Sequence, residues 1–390
     1  MDAVVSQQPT HQQALPGGTN EMRERAVRAD AMKDNPELKC IPVAEAVGFA
    51  LCHDITEIVP GRKKGAAFLR CHIVTERDIE HLLRLGKEHV YVSDAAESAR
   101  PARERSPQDQ VHEDEAAKRM ALAVAGPGIR YGEPREGRIN FRAAHQGLFS
   151  INLDLLDRVN SITHVTLATA HSLQAVEEGR MLAGTRVIPL SVPETTVRAV
   201  EDCCKGASPN LLSVLPFKAH RVGIVTTGSE VYLGRIKDAF GPVLHRKFGA
   251  WGSSIHSQEI VPDETAVTAA AIEDAIAGGA DFICVTGGMS VDPDDKTPAA
   301  IRAVGCEVVT YGAPVFPGAM FMLAYKDTVP VLGLPGCVMY HRARIFDLIV
   351  PRIPAGIRVC ERDITRLANG GLCESCEVCH FPACALGKGC

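Results

Sequence analysis

The chain has 390 residues, of which 46% are hydrophobic and 23% are charged, and its net charge is −5. This composition is typical of a folded globular protein with enough apolar side chains for a sizeable core, and the length predicts two or three domains. The acidic balance and an aromatic content of only 5% argue against nucleic acid as a partner.

Membrane insertion and secretion are not expected from the sequence. There is no uninterrupted apolar run of about 18 residues, the length that a transmembrane helix requires. The N-terminal segment MDAVVSQQPTHQQALPGGTN has no basic start followed by an apolar stretch, so it does not have the pattern of a signal peptide. We therefore expect a cytoplasmic protein without a membrane partner.

The first half of the chain is predicted to form a disordered segment followed by an accessory region. Residues 1–38 are predicted to be disordered, because their first twenty are rich in Gln, Pro, Gly and Thr. Residues 39–214 predict a β-rich α+β region with a helix near Glu76–Leu85. A highly charged stretch at about 95–115 is expected to be a linker within it.

The pattern changes in residues 215–355, where apolar strands alternate with helices. Strand–helix alternation predicts an α/β fold with a mostly parallel sheet and helices on both faces. The last of these helices is predicted to run from Val338 to Val350. In such sheets, ligands bind at the carboxyl ends of the strands.

Three glycine-bearing turns follow predicted strands at ends of this kind. Glycine allows positive φ and a close approach of the backbone to an anion, and exposed amides with hydroxyl groups can hold phosphate oxygens. The alternative is an ordinary tight turn between strand and helix. The predicted ligand-binding residues are Thr226, Thr227, Gly228, Ser229, Gly287, Gly288, Ser290, Pro335 and Gly336.

Three carboxylates follow the second turn, at Asp292, Asp294 and Asp295. Hard oxygen ligands beside a phosphate site are typical of Mg²⁺ sites. The alternative is that Asp294 or Asp295 caps the helix that begins near Thr297.

The order TTGSE, VPDE, TGGMSVDPDD, PG and GLPG resembles the molybdopterin-binding domain of the MoeA/gephyrin-type molybdopterin molybdotransferases and the MogA-type adenylyltransferases. The resemblance implies a three-layer α/β domain, a homodimer, and Mg²⁺-assisted insertion of molybdate into adenylylated molybdopterin. Glu230, Asp263 and Asp295 match the acidic positions of the family and are the predicted catalytic residues.

The chain departs from this family in the segment of residues 311–319. Its sequence YGAPVFPGA contains none of the lysines that the family is thought to use for molybdate. Two other functions therefore stay open. One is a carrier or insertion factor that holds molybdopterin-type cofactor and docks to a molybdoenzyme, and the other is a nucleotide pyrophosphatase of the CinA type.

The C-terminal residues 356–390 are rich in cysteine. Cys373, Cys376, Cys379 and Cys384 are spaced as metal ligands, and clustered cysteines in a reducing compartment indicate a metal site more often than disulfides. The spacing is compatible with a [4Fe–4S] cluster or with Zn²⁺. The alternative is a flexible, redox-sensitive tail without a metal.

Overall fold

The computed structural model describes residues 39–59, 61, 63–93, 109–293, 295–340 and 344–389. They belong to two compact units, Met1–Ala116 with Val187–Thr195, and Ala117–Arg186 with Thr196–Cys390. The segment 1–38, which was predicted to be disordered, lies outside the described residues. Among the helices that are described, none is long and apolar enough to cross a membrane.

Short strands and helices make up the part of the chain before residue 217. The strands are β1 (Lys39–Pro42), β2 (Ala50–Leu51), β3 (Ile55–Val59), β4 (Lys63–Phe68), β5 (His89–Ser93), β6 (Gln110–His112), β7 (Ile129–Tyr131), β8 (Arg138–Ala143), β9 (Gly147–Ile151), β10 (Val165–Thr169), β11 (Gln174–Val176), β12 (Met181–Val187), β13 (Ser191–Pro193) and β14 (Leu212–Pro216). The helices are α1 (Glu76–Arg84), α2 (Glu113–Val124), α3 (Leu153–Asn160) and α4 (Glu194–Cys204).

The first unit contains three small sheets. Their strand orders are β1-β5-β2, β3-β4 and β13-β6. The core between these elements includes Leu51, Ile55 and Leu82, all almost fully buried. At the start of α1, the Asp78 carboxylate accepts hydrogen bonds from the amide and hydroxyl of Thr75 over 2.8 and 2.7 Å, which caps the helix.

The second unit begins with two antiparallel sheets, in the orders β10-β12-β8-β7 and β11-β9-β14. Strand β8 shows the expected alternation, because Ile139, Phe141 and Ala143 are buried and the residues between them are exposed. The predicted β-rich accessory region is therefore observed. The linker predicted at about 95–115 ends earlier than expected, because β6 begins at Gln110 and α2 begins at Glu113. Residues 94–108 lie outside the described residues.

The rest of the second unit is built on a six-stranded sheet. Its strands are β15 (Arg221–Thr227), β16 (Ser254–Val261), β17 (Phe282–Thr286), β18 (Glu307–Tyr311), β19 (Met322–Lys326) and β20 (Val329–Leu334), in the order β16-β15-β17-β20-β19-β18. Strand β19 pairs antiparallel with both of its neighbours, whereas β16, β15, β17 and β20 pair in parallel. The prediction of a mostly parallel sheet is confirmed.

Seven helices accompany this sheet within the described residues. They are α5 (Ser229–Tyr232), α6 (Phe240–Gly249), α7 (Thr265–Ala277), α8 (Thr297–Ala303), α9 (Cys337–Tyr340), α10 (Ile345–Ile349) and α11 (Glu361–Thr365). Short 3₁₀ turns at Val43–Glu45, Val350–Arg352 and Arg366–Ala368 complete the regular structure.

Both faces of the six-stranded sheet are covered. On one face, Ile224 packs in a cluster with Phe248 of α6 and Phe346 of α10. On the other face, the next residue, Val225, packs in a cluster with Ile272 of α7. Successive strand residues thus enter opposite cores, which explains why these strands are apolar throughout. The arrangement is the predicted three-layer α/β fold.

The long helix predicted for Val338–Val350 is wrong, because the described residues there form the two short helices α9 and α10. Arg344 precedes α10 with an extended backbone, φ −161° and ψ −173°. Its amide donates to a carboxylate oxygen of Asp347 over 3.1 Å. This local hydrogen bond starts a new helix, and the spacing of apolar residues does not reveal it.

The cysteine-rich tail packs on the same core. Ile364, Leu367 and Leu386 are buried in the cluster that also contains Phe346. The Phe316 amide donates to the Gly371 carbonyl over 2.8 Å, and the Phe316 carbonyl accepts from the Cys373 amide over 2.8 Å. The tail is thus an integral part of the α/β unit.

Candidate functional site

The three predicted turns lie at one edge of the six-stranded sheet. Strands β15, β17 and β20 are neighbours, and their ends are in register, since Thr226 pairs with Thr286 and Thr286 pairs with Leu334. The turns that follow these residues are consequently adjacent. We call this edge, residues 226–230, 286–290 and 335–337, the turn edge.

Buried threonines hold two of the turns together. The Thr286 hydroxyl donates to the Thr226 hydroxyl over 3.1 Å. The Thr297 hydroxyl donates to the Gly287 carbonyl over 2.9 Å and lies 3.4 Å from the Thr227 hydroxyl. All four threonines are almost fully buried. The side chains of Thr226 and Thr227, which were predicted to bind ligand, are therefore occupied in joining the turns.

Glycine is required in the second turn. Gly287 has φ +86°, and a Cβ atom there would lie 2.1 Å from the Thr227 carbonyl oxygen. Gly288 has φ +54°, and its Cβ would lie 2.9 Å from the Thr297 hydroxyl. No side chain fits at either position without moving the backbone, so the glycines allow the first and second turns to touch.

Several backbone amides of the turn edge are available for an anion. The hydrogen bonds found among the described residues leave the amides of Gly288, Ser290 and Gly336 without an acceptor. The Ser229 amide is different, because it donates to a carboxylate oxygen of Asp263 over 2.7 Å. Unbonded amides at the ends of parallel strands can donate to phosphate oxygens.

The predicted acidic residues have different surroundings. Glu230 is exposed, and its carboxylate lies beside Gly228. A Cβ atom added to Gly228 would lie 3.4 Å from Oε1 of Glu230. Asp263 holds the first turn through Ser229. Asp295 accepts a hydrogen bond from the Asp292 amide over 3.1 Å, which is a local turn contact. Asp294 lies outside the described residues.

The geometry does not assemble the predicted metal sites. Within the described part of the chain, no group of three His, Cys, Asp or Glu side chains could hold a metal ion. Cys373 and Cys384 pack against the core, whereas Cys376 and Cys379 are exposed, so the four thiols do not surround one centre. Asp292 and Asp295, the described aspartates after the second turn, likewise belong to no three-ligand group for Mg²⁺. The described residues as they are arranged therefore fit neither a metal in the tail nor Mg²⁺ after the second turn.

The sequence did not identify Arg344 as a candidate residue. Its side chain is 1% exposed, and its Nε and both Nη atoms have no hydrogen-bond partner among the described residues. Burial lowers the pKa of this guanidinium, and the Cys337 thiol of the third turn lies near it. A buried arginine has no periodicity or motif, so it could not have been found from one sequence.

A cavity of about 390 Å³ lies elsewhere in the second unit. It is lined mainly by β12 residues, including Met181 and Thr185, with Ala168 and Thr169 of β10. It contains none of the predicted functional residues, whereas the turn edge combines available amides with carboxylates. The turn edge is therefore the candidate functional site.

Comparisons with known proteins agree with this choice. Residues 223–355 match the sequence model of a family described as "Probable molybdopterin binding domain", which confirms the resemblance seen in the sequence. Residues 40–94 match a second family, described as "Domain of unknown function (DUF8806)". The family assignment thus covers the six-stranded α/β part and includes all three turns.

Among curated relatives, a CinA-like protein of Syntrophus aciditrophicus is 40% identical over 89 residues, which are 23% of this chain and 21% of that protein. A molybdopterin molybdenumtransferase of Synechococcus elongatus is 28% identical over 125 residues, which are 30% of this chain and 31% of that protein. The matches span less than a third of these relatives' own lengths. The solved structures include the molybdopterin biosynthesis enzyme MoaB of Thermus thermophilus, at 18% identity and a TM-score of 0.28, covering 35% of this chain and 91% of that one.

Proposed function

We propose that the turn edge binds the phosphate-bearing side of a molybdopterin-type ligand, in molybdenum cofactor biosynthesis. The observation that supports this best is the set of unbonded amides at Gly288, Ser290 and Gly336, on turns at the ends of adjacent parallel strands. A phosphate or pyrophosphate presents the oxygen atoms to which such amides donate hydrogen bonds. The family match over residues 223–355 supports the pterin as the rest of the ligand.

The proposed reaction is cleavage of adenylylated molybdopterin, followed by molybdate insertion. Water adds to a phosphorus atom of the pyrophosphate, the bond to the bridging oxygen breaks, and AMP and molybdopterin are released. In this reaction Glu230 would hold the water and accept its proton; its exposed carboxylate beside Gly228 of the first turn supports this role. Asp263 keeps that turn in place through the Ser229 amide.

We also propose that the reaction requires Mg²⁺, but we assign the ion no role in the steps above. The family resemblance of the sequence implies it. Asp292 and Asp295 are the described carboxylates nearest in sequence to the second turn, but they form no three-ligand group. A requirement for Mg²⁺ would appear as loss of AMP release with a chelator and its return on adding the ion.

Binding is tested with molybdopterin released from a molybdoenzyme and mixed anaerobically with the full chain. After gel filtration, oxidised pterin fluorescence in the protein fraction measures retention. We expect Gly288→Ala to reduce retention at least tenfold, since the new Cβ enters the turn. Gly132→Ala is the matched control, because a Cβ there meets nothing within 4 Å. If the unaltered chain retains no pterin, the proposal is wrong.

Catalysis is a separate question, answered by adding adenylylated molybdopterin and measuring AMP. Release of AMP that Glu230→Gln reduces would support the transferase proposal. Stable binding without AMP would instead support the carrier, which the lysine-free segment 311–319 favours. The carrier proposal also predicts that a molybdoenzyme copurifies with the chain. For either version we expect a homodimer, which sedimentation equilibrium would test.

The nucleotide pyrophosphatase is the second candidate, supported by the 40% identity to a CinA-like protein over 89 residues. A dinucleotide also presents a pyrophosphate, so the same amides would serve it. Hydrolysis of a pyridine dinucleotide by the purified chain, together with failure to retain pterin, would favour this function over cofactor biosynthesis.

A further inference from the structure

The guanidinium of Arg344 is buried without a hydrogen-bond partner among the residues that the structure describes. The side chain is 1% exposed, and none of its three guanidinium nitrogens is hydrogen-bonded to a described residue. A buried and unpaired charge is strongly unfavourable, so buried cations normally have an anion beside them. Something outside the described residues is therefore expected to complete this site.

The nearest carboxylate cannot balance the charge. Asp347 is bonded to the ammonium group of Lys247 and accepts from the Arg344 backbone amide. The side chains of Lys247 and Asp347 are only 14% and 15% exposed. The buried Arg344 and the partly buried Lys247 thus have one partly buried carboxylate between them, which leaves an excess of one positive charge.

The thiol of Cys337, which lies near the guanidinium, does not supply the missing negative charge. Burial raises the pKa of the Cys337 thiol, and the nearby Arg344 only partly opposes this. The Cys337 thiol is therefore protonated at neutral pH. An external anion is the simpler way to neutralise Arg344.

We propose that Arg344 binds a small tetrahedral oxyanion beside the third turn. The planar guanidinium fork matches two oxygens of such an ion. Cys337 directly follows Gly336, whose amide has no acceptor among the described residues, so the turn can add a donor. Segment 311–319 has no lysine. Ile345, which follows Arg344, packs in the same core cluster as the tail and lies against Gly318 of this segment.

The identity of the oxyanion rests on the proposed function. Molybdate or tungstate is expected if the chain handles the metal of the cofactor, whereas phosphate is expected if Arg344 extends the phosphate site of the turn edge. Both present tetrahedral oxygens and negative charge, so Arg344 would bind either, and only their relative affinities separate the two.

The test uses the full chain, purified without polyvalent anions and without pterin. Thermal unfolding is followed while molybdate, tungstate, phosphate or sulfate is titrated, because a ligand that binds only the folded state raises the Tm. We expect a saturable rise, with at least tenfold weaker binding in Arg344→Met and partial recovery in Arg344→Lys. Arg246→Met, which removes an exposed arginine of α6, should behave as the unaltered chain.

Each outcome decides the question. In the absence of anions, Arg344→Met should have a Tm at least equal to that of the unaltered chain, because it removes an unpaired buried charge. A lower Tm would mean that the guanidinium already has a protein partner, and equal anion effects in Arg344→Met and the unaltered chain would mean non-specific binding; both would overturn the proposal. If the chain binds the oxyanion but retains no pterin, the proposal for Arg344 stands and the proposed function is wrong. If the chain retains pterin but binds no oxyanion, the proposed function stands and the proposal for Arg344 is wrong.

Discussion

The hydroxyl of Thr286 donates to the hydroxyl of Thr226 over 3.1 Å, between neighbouring parallel strands and away from solvent. Both groups lie immediately before a turn of the candidate site. The hydrogen bond therefore fixes the distance between the first and second turns. Its removal should affect both the stability of the sheet and the geometry of the site.

A double-mutant cycle measures this link. We expect Thr286→Val and Thr226→Val each to lower the free energy of unfolding by about 1 to 2 kcal/mol, since each leaves the other buried hydroxyl without its partner. The double variant should cost less than the sum of the two, with a coupling of about 1 kcal/mol. Urea unfolding provides the measurement, and strict additivity would show that the hydroxyls do not interact.

Gly287 and Gly336 offer a matched comparison within the turn edge. Gly287→Ala should lower the free energy of unfolding by roughly 1 to 3 kcal/mol or more, because the Cβ would lie 2.1 Å from the Thr227 carbonyl oxygen at a φ of +86°. Gly336→Ala should change it by less than about 0.5 kcal/mol, because the nearest atom is 3.9 Å away. Similar unfolding midpoints in urea for the two variants would contradict the described turn.

The first unit should have an acid-sensitive helix start. Burial acts to raise the pKa of Asp78, but hydrogen bonds from His72 and Thr75 outweigh this effect and hold the pKa below its usual 3.8. The unfolded carboxyl is then protonated first as pH falls, so this contribution is present above pH 3.8 and is lost as pH falls toward the lower folded pKa.

The corresponding variant is Asp78→Ala, which we expect to lower the free energy of unfolding by about 1 kcal/mol at neutral pH. The difference from the unaltered chain should shrink below pH 4. Glu80→Ala, at an exposed position of the same helix, is the control. A difference that stays constant from pH 7 to pH 3 would be inconsistent with a lowered pKa for Asp78.

Much of the α/β unit could be predicted from the sequence, because its strands are apolar on both faces and end in glycine-bearing turns. The same patterns brought the three turns to one edge without any coordinates. Strand β19 was missed, although the two residues between Lys326 and Val329 form a short hairpin turn between apolar runs. Its antiparallel direction follows from that turn, and strand–helix alternation does not indicate it.

The side-chain roles were less predictable. Thr226 and Thr227 have the residue type of a phosphate-binding turn, but burial directs their hydroxyls to other threonines. The cysteine spacing indicated a metal, whereas packing separates Cys373 from the exposed Cys376. Arg344 became visible only through its burial. Such properties depend on residues distant in sequence, and a local pattern does not contain them.

The tail should contribute to stability through its apolar contacts. Leu386 is 4% exposed and belongs to the core cluster on one face of the sheet. We expect Leu386→Ala to lower the free energy of unfolding by about 2 to 4 kcal/mol. Val378→Ala, at a side chain that is 66% exposed, should cost less than about 0.5 kcal/mol. Guanidinium-induced unfolding measures both variants. Equal losses of unfolding free energy in Leu386→Ala and Val378→Ala would show that the tail is detached in solution.

Because helices cover both faces of the six-stranded sheet, the rim where the strands stop is where a ligand is expected to approach it. The residues at that rim belong to short connections between strands and helices. Such a design lets new chemistry arise by altering loops alone. This offers one reason why the same scaffold occurs in proteins as different as a molybdenumtransferase and a CinA-like protein.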